Sequence, residues 1–256
     1  MSFSLIPVLL ISLPLGALLG FFGGLFGIGG GIIAIPVLAL GFGLDQATAQ
    51  GTALVMMVPN LLVGWWRYAR HNPVSLPQAA AVAVVGSATT WGMAHFAQAL
   101  DQGILRGLFA LFLLFVAGRM IVCNPVAEAA PVRRNQRLLP LVGVVGGASM
   151  GLLGVGGGLM ATPLLTGWFG LRQRVAQSFA LALVAPSSVF ALGAYAQNQR
   201  VDWTMGSALA VGGVVTVAAG VNLAHRWPER TLRRAFGWMM AATSVWLVIS
   251  QHLLGR

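Results

Sequence analysis

Three consecutive glycines occur twice in this chain, at Gly29, Gly30 and Gly31 and again at Gly156, Gly157 and Gly158. Each run sits in nearly the same phrase, GLFGIGGGIIAIPVL from 24 to 38 and GLLGVGGGLMATPLL from 151 to 165. A glycine run makes a poor helix interior, costing roughly 1 kcal/mol per residue relative to alanine. Unwound there, the backbone frees N–H groups, and a helix starting just after presents its positive dipole end. Such an arrangement attracts anions without a cationic side chain. Close helix packing through small residues is the competing explanation.

Uncharged polar residues follow each phrase at matched positions. Gln50 and Gln177 open the next apolar stretch, with Thr52 and Ser178 just behind. Asn60 aligns with Ser187, and each follows a proline, Pro59 and Pro186. Proline inside a helix frees a carbonyl, which a hydroxyl, amide or water can satisfy. In helical register Thr52 and Asn60 share a face. The repeated glutamines are the foremost side-chain candidates for a substrate site; the plainer alternative is interhelical hydrogen bonding.

Other chemistries fare worse. A dinucleotide fingerprint fails because Ile32 and Leu159 stand where its last glycine belongs, and no acid follows at the needed distance. Four histidines (His71, His95, His225, His252) and five acids are scattered rather than clustered, so neither a dyad nor a carboxylate pair emerges. The single Cys123 excludes an intrachain disulfide and any multi-cysteine metal site. No metal and no cofactor is expected. His95 is expected to be satisfied by a hydrogen bond.

The elements that position these residues must be membrane helices. Only 8% of residues are charged and 57% are hydrophobic, with a mean hydropathy of +0.84. A soluble domain carries about a quarter charged residues. Apolar segments near 4–22, 30–43, 47–66, 77–98 and 103–121 are echoed near 138–152, 157–170, 174–195, 204–223 and 233–251. Residues 24–59 align with 151–186 without a gap, 18 of 36 positions being identical. The fold class expected is an all-α polytopic membrane protein of two homologous halves, 1–122 and 138–256, joined by a linker at 123–137.

The arginines orient the halves. With every segment crossing, twelve of the fifteen fall on one side, and Arg106, Arg200 and Arg256 on the other. That bias places the linker in the cytoplasm. Five crossings per half make the repeats inverted in topology, a known transporter architecture with substrate held at the midplane. The net charge of +10 is spread through these loops rather than gathered with aromatics, so no nucleic acid is expected. Trp65, Trp66, Trp203, Trp227 and Trp246, with Tyr68 and Tyr195, suit interfacial belts. The first segment lacks the basic start of a cleavable signal and is expected to be retained.

The doubled phrase G-L-[FL]-G-[IV]-G-G-G, with proline five residues after its last glycine and glutamine downstream, resembles the TauE/SafE sulfite exporter family of membrane permeases. The resemblance covers nearly the whole chain. It implies carriage of a small sulfur-containing anion, sulfite or an organosulfur compound such as a sulfonate, across the bacterial inner membrane. The candidate substrate-binding residues are Gly29, Gly30, Gly31, Gln50, Thr52 and Asn60, with Gly156, Gly157, Gly158, Gln177, Ser178 and Ser187. The family's usual segment count is below ten, which allows segment 30–43 or 157–170 to be re-entrant. A passive anion channel is the first alternative, and an integral-membrane enzyme the second.

Overall fold

The computed structural model describes residues 5–26, 30–71, 75–122, 138–171, 173–224 and 229–254. Gly29, Arg172 and the linker 123–137 fall outside them.

Ten α-helices follow one another among the described residues: α1 (Leu5–Phe26), α2 (Gly31–Pro36), α3 (Gln46–His71), α4 (Leu76–Ala99), α5 (Gln102–Val122), α6 (Leu139–Leu153), α7 (Gly157–Gly167), α8 (Gln173–Gln197), α9 (Trp203–Ala224) and α10 (Glu229–Leu254). A π-helical turn, Val37–Gly41, extends α2. Their order repeats, α1 to α5 answering α6 to α10. Three acids explain where helices begin. The Asp45 carboxylate accepts from the Thr48 N–H at 2.9 Å, Asp101 from the Gly103 N–H at 2.8 Å, and Asp202 from the Met205 N–H at 2.9 Å. Each satisfies an orphan donor of a first turn, in α3, α5 and α9.

This is a membrane protein. Segments Gln102–Ile121, Val175–Gln197 and Trp203–Gly220 are long and apolar enough to cross a bilayer, with shorter apolar stretches at Leu10–Leu25, Gly31–Gly41 and Leu139–Leu153. Large aliphatic side chains stand open along the helices, such as Val215 at 76% exposure and Val84 at 67%. Lipid rather than water suits such faces.

The helices gather into two compact units that differ from the sequence halves. One unit contains residues 1–60, 100–123 and 199–256; the other contains 61–99 and 124–198. Helices of both halves enter each unit. Within the first, α1 packs on α9; within the second, α6 packs on α4. These are equivalent pairings, the first helix of one half against the fourth of the other.

Glycine makes both seams possible. A Cβ at Gly16, Gly20 or Gly24 would fall 2.2–2.4 Å from the backbone of Leu209, Gly213 or Val217. At Gly143, Gly147 and Gly151 it would fall 2.3–2.7 Å from Val82, Gly86 and Thr90. The six contacts correspond pair by pair at the same offset of 127 residues that aligns the halves (143 − 16, and likewise 209 − 82). No side chain fits in such a gap, so the backbones meet directly.

Candidate functional site

Both glycine runs interrupt the helical path, as the cost of consecutive glycines predicts. In the first unit α1 is described as far as Phe26, and α2 starts at Gly31 behind Gly30. Gly30 adopts φ +84°, the left-handed region that other residues enter at roughly 1–2 kcal/mol. Its carbonyl then accepts from the Ile33 and Ala34 N–H groups at 3.2 and 3.0 Å. In the second unit α6 ends at Leu153, and the left-handed residue before α7 is Gly156, φ +92°. The two starts are therefore out of step by one residue, since Gly30 corresponds in sequence to Gly157 rather than Gly156.

Gly30 and Gly157 share a second duty. A Cβ at Gly30 would meet the Leu19 carbonyl oxygen at 2.8 Å, and one at Gly157 the Gly146 carbonyl oxygen at 3.0 Å. Leu19 and Gly146 again correspond. Packing and helix initiation thus coincide at Gly30, whereas in the second unit Gly156 starts the helix and Gly157 makes the close contact. Gly31 is buried at the first position of α2; Gly158 is half-buried in the first turn of α7, where an added Cβ would lie 3.7 Å from Val184.

The polar candidates lie on α3 and α8. In the first unit Thr52, Met56 and Asn60 form one stripe at intervals of four. The middle member touches the turn: the Met56 methyl would lie 3.0 Å from a Cβ at Gly30. Thr52 is fully buried and its hydroxyl accepts from the Asp202 N–H at 3.0 Å, tying α3 to the start of α9. Asn60 is different. Its amide oxygen and nitrogen are both buried and find no hydrogen-bond partner among the described residues. Gln50 is fully buried two residues before Thr52, on another face.

In the second unit Ser187 lies one helical turn beyond Val184, the residue against Gly157 and Gly158. Its hydroxyl is wholly buried and unpartnered among the described residues. Ser188 beside it bonds the Ala185 carbonyl at 2.7 Å. Ser178 also carries a buried, unpartnered hydroxyl, but six residues from Val184 it lies on another face of α8. Gln177 is half-buried in the helix's first turns. A buried polar group without a partner costs about 1–3 kcal/mol. At Asn60 and Ser187 that cost falls on equivalent positions, each one residue past a proline inside its helix.

Several expectations resolve plainly. His95 is satisfied, its Nδ1 lying 2.9 Å from the Trp91 carbonyl oxygen. Tyr195 is not an interfacial residue: it is completely buried and donates to the Gly151 carbonyl at 3.2 Å, at the seam between α4 and α6. An aromatic with one polar atom fits an interface belt by type alone, and here a backbone carbonyl takes the hydroxyl inside the unit. Trp65, Trp66, Trp203 and Trp246 are exposed, as belts require. Sequence reasoning passed over Gln46, which is fully buried with neither amide atom partnered among the described residues. Its alignment with Gln173 was the available signal. The evenly spaced glycines of α1 and α6 were likewise legible as a small-residue pattern.

Comparison with known proteins decides the family. The sequence profile described as "Sulfite exporter TauE/SafE" matches residues 12–247. The chain belongs to the TauE/SafE sulfite exporter family. A probable membrane transporter protein of Xylella fastidiosa is 27% identical over 254 residues, covering 95% of this chain and 96% of its own length. One from Haemophilus influenzae is 25% identical over 259 residues, 93% and 97% of the two chains. A third, from Methanocaldococcus jannaschii, is 28% identical over 169 residues, 63% and 61% of the two. The relatives' names give membrane transport and name no substrate. As a member of this family the protein is a membrane transporter.

Proposed function

We propose that the protein is a secondary transporter that exports a small anion, sulfite or an organosulfur compound such as a sulfonate. It would work by alternating access between two inverted repeats in the bacterial inner membrane, with the linker 123–137 in the cytoplasm. The observation that carries this reading is the matched pair Asn60 and Ser187. Each has its hydrogen-bonding side-chain atoms buried without a partner among the described residues, one position past an equivalent proline. A dry, unpaired donor is what an arriving oxyanion needs.

The family resemblance supports the substrate class, and the helix exchange supports a duplicated carrier. Because α9 is locked to α1 and α4 to α6, any body that moves as one carries helices from both halves. Export needs no coupling carboxylate, since an inside-negative potential drives anions out by about 2.3 kcal/mol per charge per 100 mV. Asp45, Asp101 and Asp202 cap helix starts, and the anion would be met by amides, hydroxyls and backbone N–H groups.

The test is flux from liposomes of purified protein with sulfite, sulfoacetate, thiosulfate, sulfate and chloride. A carrier gives saturable flux of one or a few sulfur anions. Unsaturable flux of every anion would replace this reading with the passive channel.

A further inference from the structure

The start of α3 carries a buried polar group that the Asn60 site does not use. Gln46, the first residue of that helix, is wholly buried, and neither atom of its amide has a partner among the described residues. Packing alone would favour an apolar side chain there, because an unpaired amide is costly to bury. Gln46, Ala53 and Asn60 recur at intervals of seven, which keeps them within about 40° of one helix face. Asn60 thus lies along the same face, about 21 Å away at 1.5 Å per residue. Between the two polar ends stands Ala53, fully buried and too small to block the face. At the offset of 127 that joins the halves, the sequence repeats this spacing as Gln173, Ala180 and Ser187.

A cation stands at the same end of the first unit. The Ala47 N–H donates to Gln102 Oε1 at 3.1 Å, so the first turns of α3 and α5 meet. Arg106 follows Gln102 by one turn on that face of α5, and its Nε is buried without a partner among the described residues. Arg200, also at this end, is taken by Asp45 at 3.1 Å. Asp45, Asp101 and Asp202 are themselves engaged as helix caps. Arg106 therefore has a donor to spare, close to an amide whose donors are also spare. A guanidinium and a primary amide are a donor set for a small oxyanion. The amide oxygen is left to a proton that the anion carries or to an accompanying water.

We propose that Gln46 and Arg106 form a second binding station for a small oxyanion, a sulfite or sulfonate group, at the far end of the α3 face that leads to Asn60. The station rests on the reading of the protein as an anion carrier and names two further residues that set its affinity.

The experiment measures sulfite efflux from liposomes of full-length protein over a range of concentrations, and thermal stabilisation of the same protein by sulfite in detergent. Gln46→Leu removes both hydrogen-bonding atoms at similar volume, and Arg106→Gln removes the charge. Each should raise the half-saturating sulfite concentration about tenfold or more, with a smaller change in maximal flux. Each should also weaken the stabilisation that sulfite gives. Arg106→Lys should recover part of the loss, since it keeps the charge without the fork. Arg200→Gln, which removes an arginine already paired, should leave half-saturation unchanged. Arg106→Gln carries the test alone should Gln46→Leu fail to fold. Saturable native flux with half-saturation unchanged in both variants would overturn the station and leave the carrier reading intact. So would a Gln46→Leu protein that loses stability while its affinity for sulfite is unaltered. A native protein that carries no sulfur anion would remove the carrier reading instead. The station then stands if sulfite still stabilises the native protein and the variants weaken that effect, and falls if they do not.

Discussion

The seam of α1 with α9 and the seam of α6 with α4 have the same shape and different fastenings. Three glycines on the first helix meet three backbone positions on the fourth in each, at equivalent residues. The threonine hydrogen bonds laid over them do not correspond. In the second unit Thr90 donates to the Gly147 carbonyl at 3.0 Å and Tyr195 to Gly151. The position equivalent to Thr90 is Val217, which has no hydroxyl to offer. The first unit adds two glycines instead: a Cβ at Gly212 or Gly220 would come within 2.2 Å of the Leu13 carbonyl oxygen or 2.0 Å of that of Phe21. There Thr216 donates to the Ala17 carbonyl. Close approach of backbones is what the duplication kept, while the threonine contacts of the two seams differ. In a medium without a hydrophobic drive between helices, steric fit is the harder feature to replace.

The largest effect should follow from attacking the shared feature. Gly147→Val and Gly20→Val each force a side chain into a gap of 2.3 Å, and each should abolish recovery of folded protein, at a cost of 3 kcal/mol or about that and more. Gly92→Ala on α4, the helix that Gly147 packs against, where nothing lies within 4 Å, should be neutral or stabilising by about 0.5–1 kcal/mol. Thermal unfolding in detergent reads both. Equal tolerance at Gly147 and Gly92 would break the seam account.

Attacking the fastenings should cost less. Thr90→Val converts the second seam to the residue type of the first and should cost about 1 kcal/mol, as should Tyr195→Phe. The two share the α4–α6 seam, so their double variant should depart from additivity by about 0.5 kcal/mol or more. Strict additivity would mean that the two bonds fasten independent elements.

The smallest effect belongs to the ion pair of Arg200 with Asp45, 3.1 Å apart with more than a third of each side chain exposed. Arg200→Gln should shift stability by under about 1 kcal/mol and lose even that at high salt. Asp45→Ala should cost more, because Asp45 also caps α3 through Thr48.

Much of this architecture is legible in the sequence, and the exceptions share a cause. Helix positions follow from apolar runs bounded by Asp45, Asp101 and Asp202, and the glycine runs break helices where their propensity says they must. Segment 30–43 reads as short, and the structure makes it a short helix with a π-helical turn. Glycine spacing announces a close approach without naming its partner, so the exchange of α4 and α9 between units is invisible until the fold is seen. Tyr195 reads equally well as a belt residue or a buried donor, because residue type does not specify what lies opposite. Gln46 is overlooked for the same reason: a glutamine at a helix start usually meets water. Asn60 and Ser187 can be aligned from sequence, yet their lack of partners is a property of packing alone.

Those two side chains also offer the cleanest test, since substituting Gly30 would damage packing and helix start together and substituting Gly157 would damage packing. Ser187→Ala and Asn60→Ala should be measured for saturable sulfite efflux from liposomes and, on the same preparations, for thermal stability. A hydrogen bond to an anion contributes about 1.5–3 kcal/mol, so flux at limiting substrate should fall by about tenfold or more in each variant. Stability should hold or rise in Ser187→Ala, because an unsatisfied hydroxyl is removed from the interior. Undiminished flux together with a stability loss of about 1 kcal/mol would make these residues ordinary interhelical contacts and contradict the account.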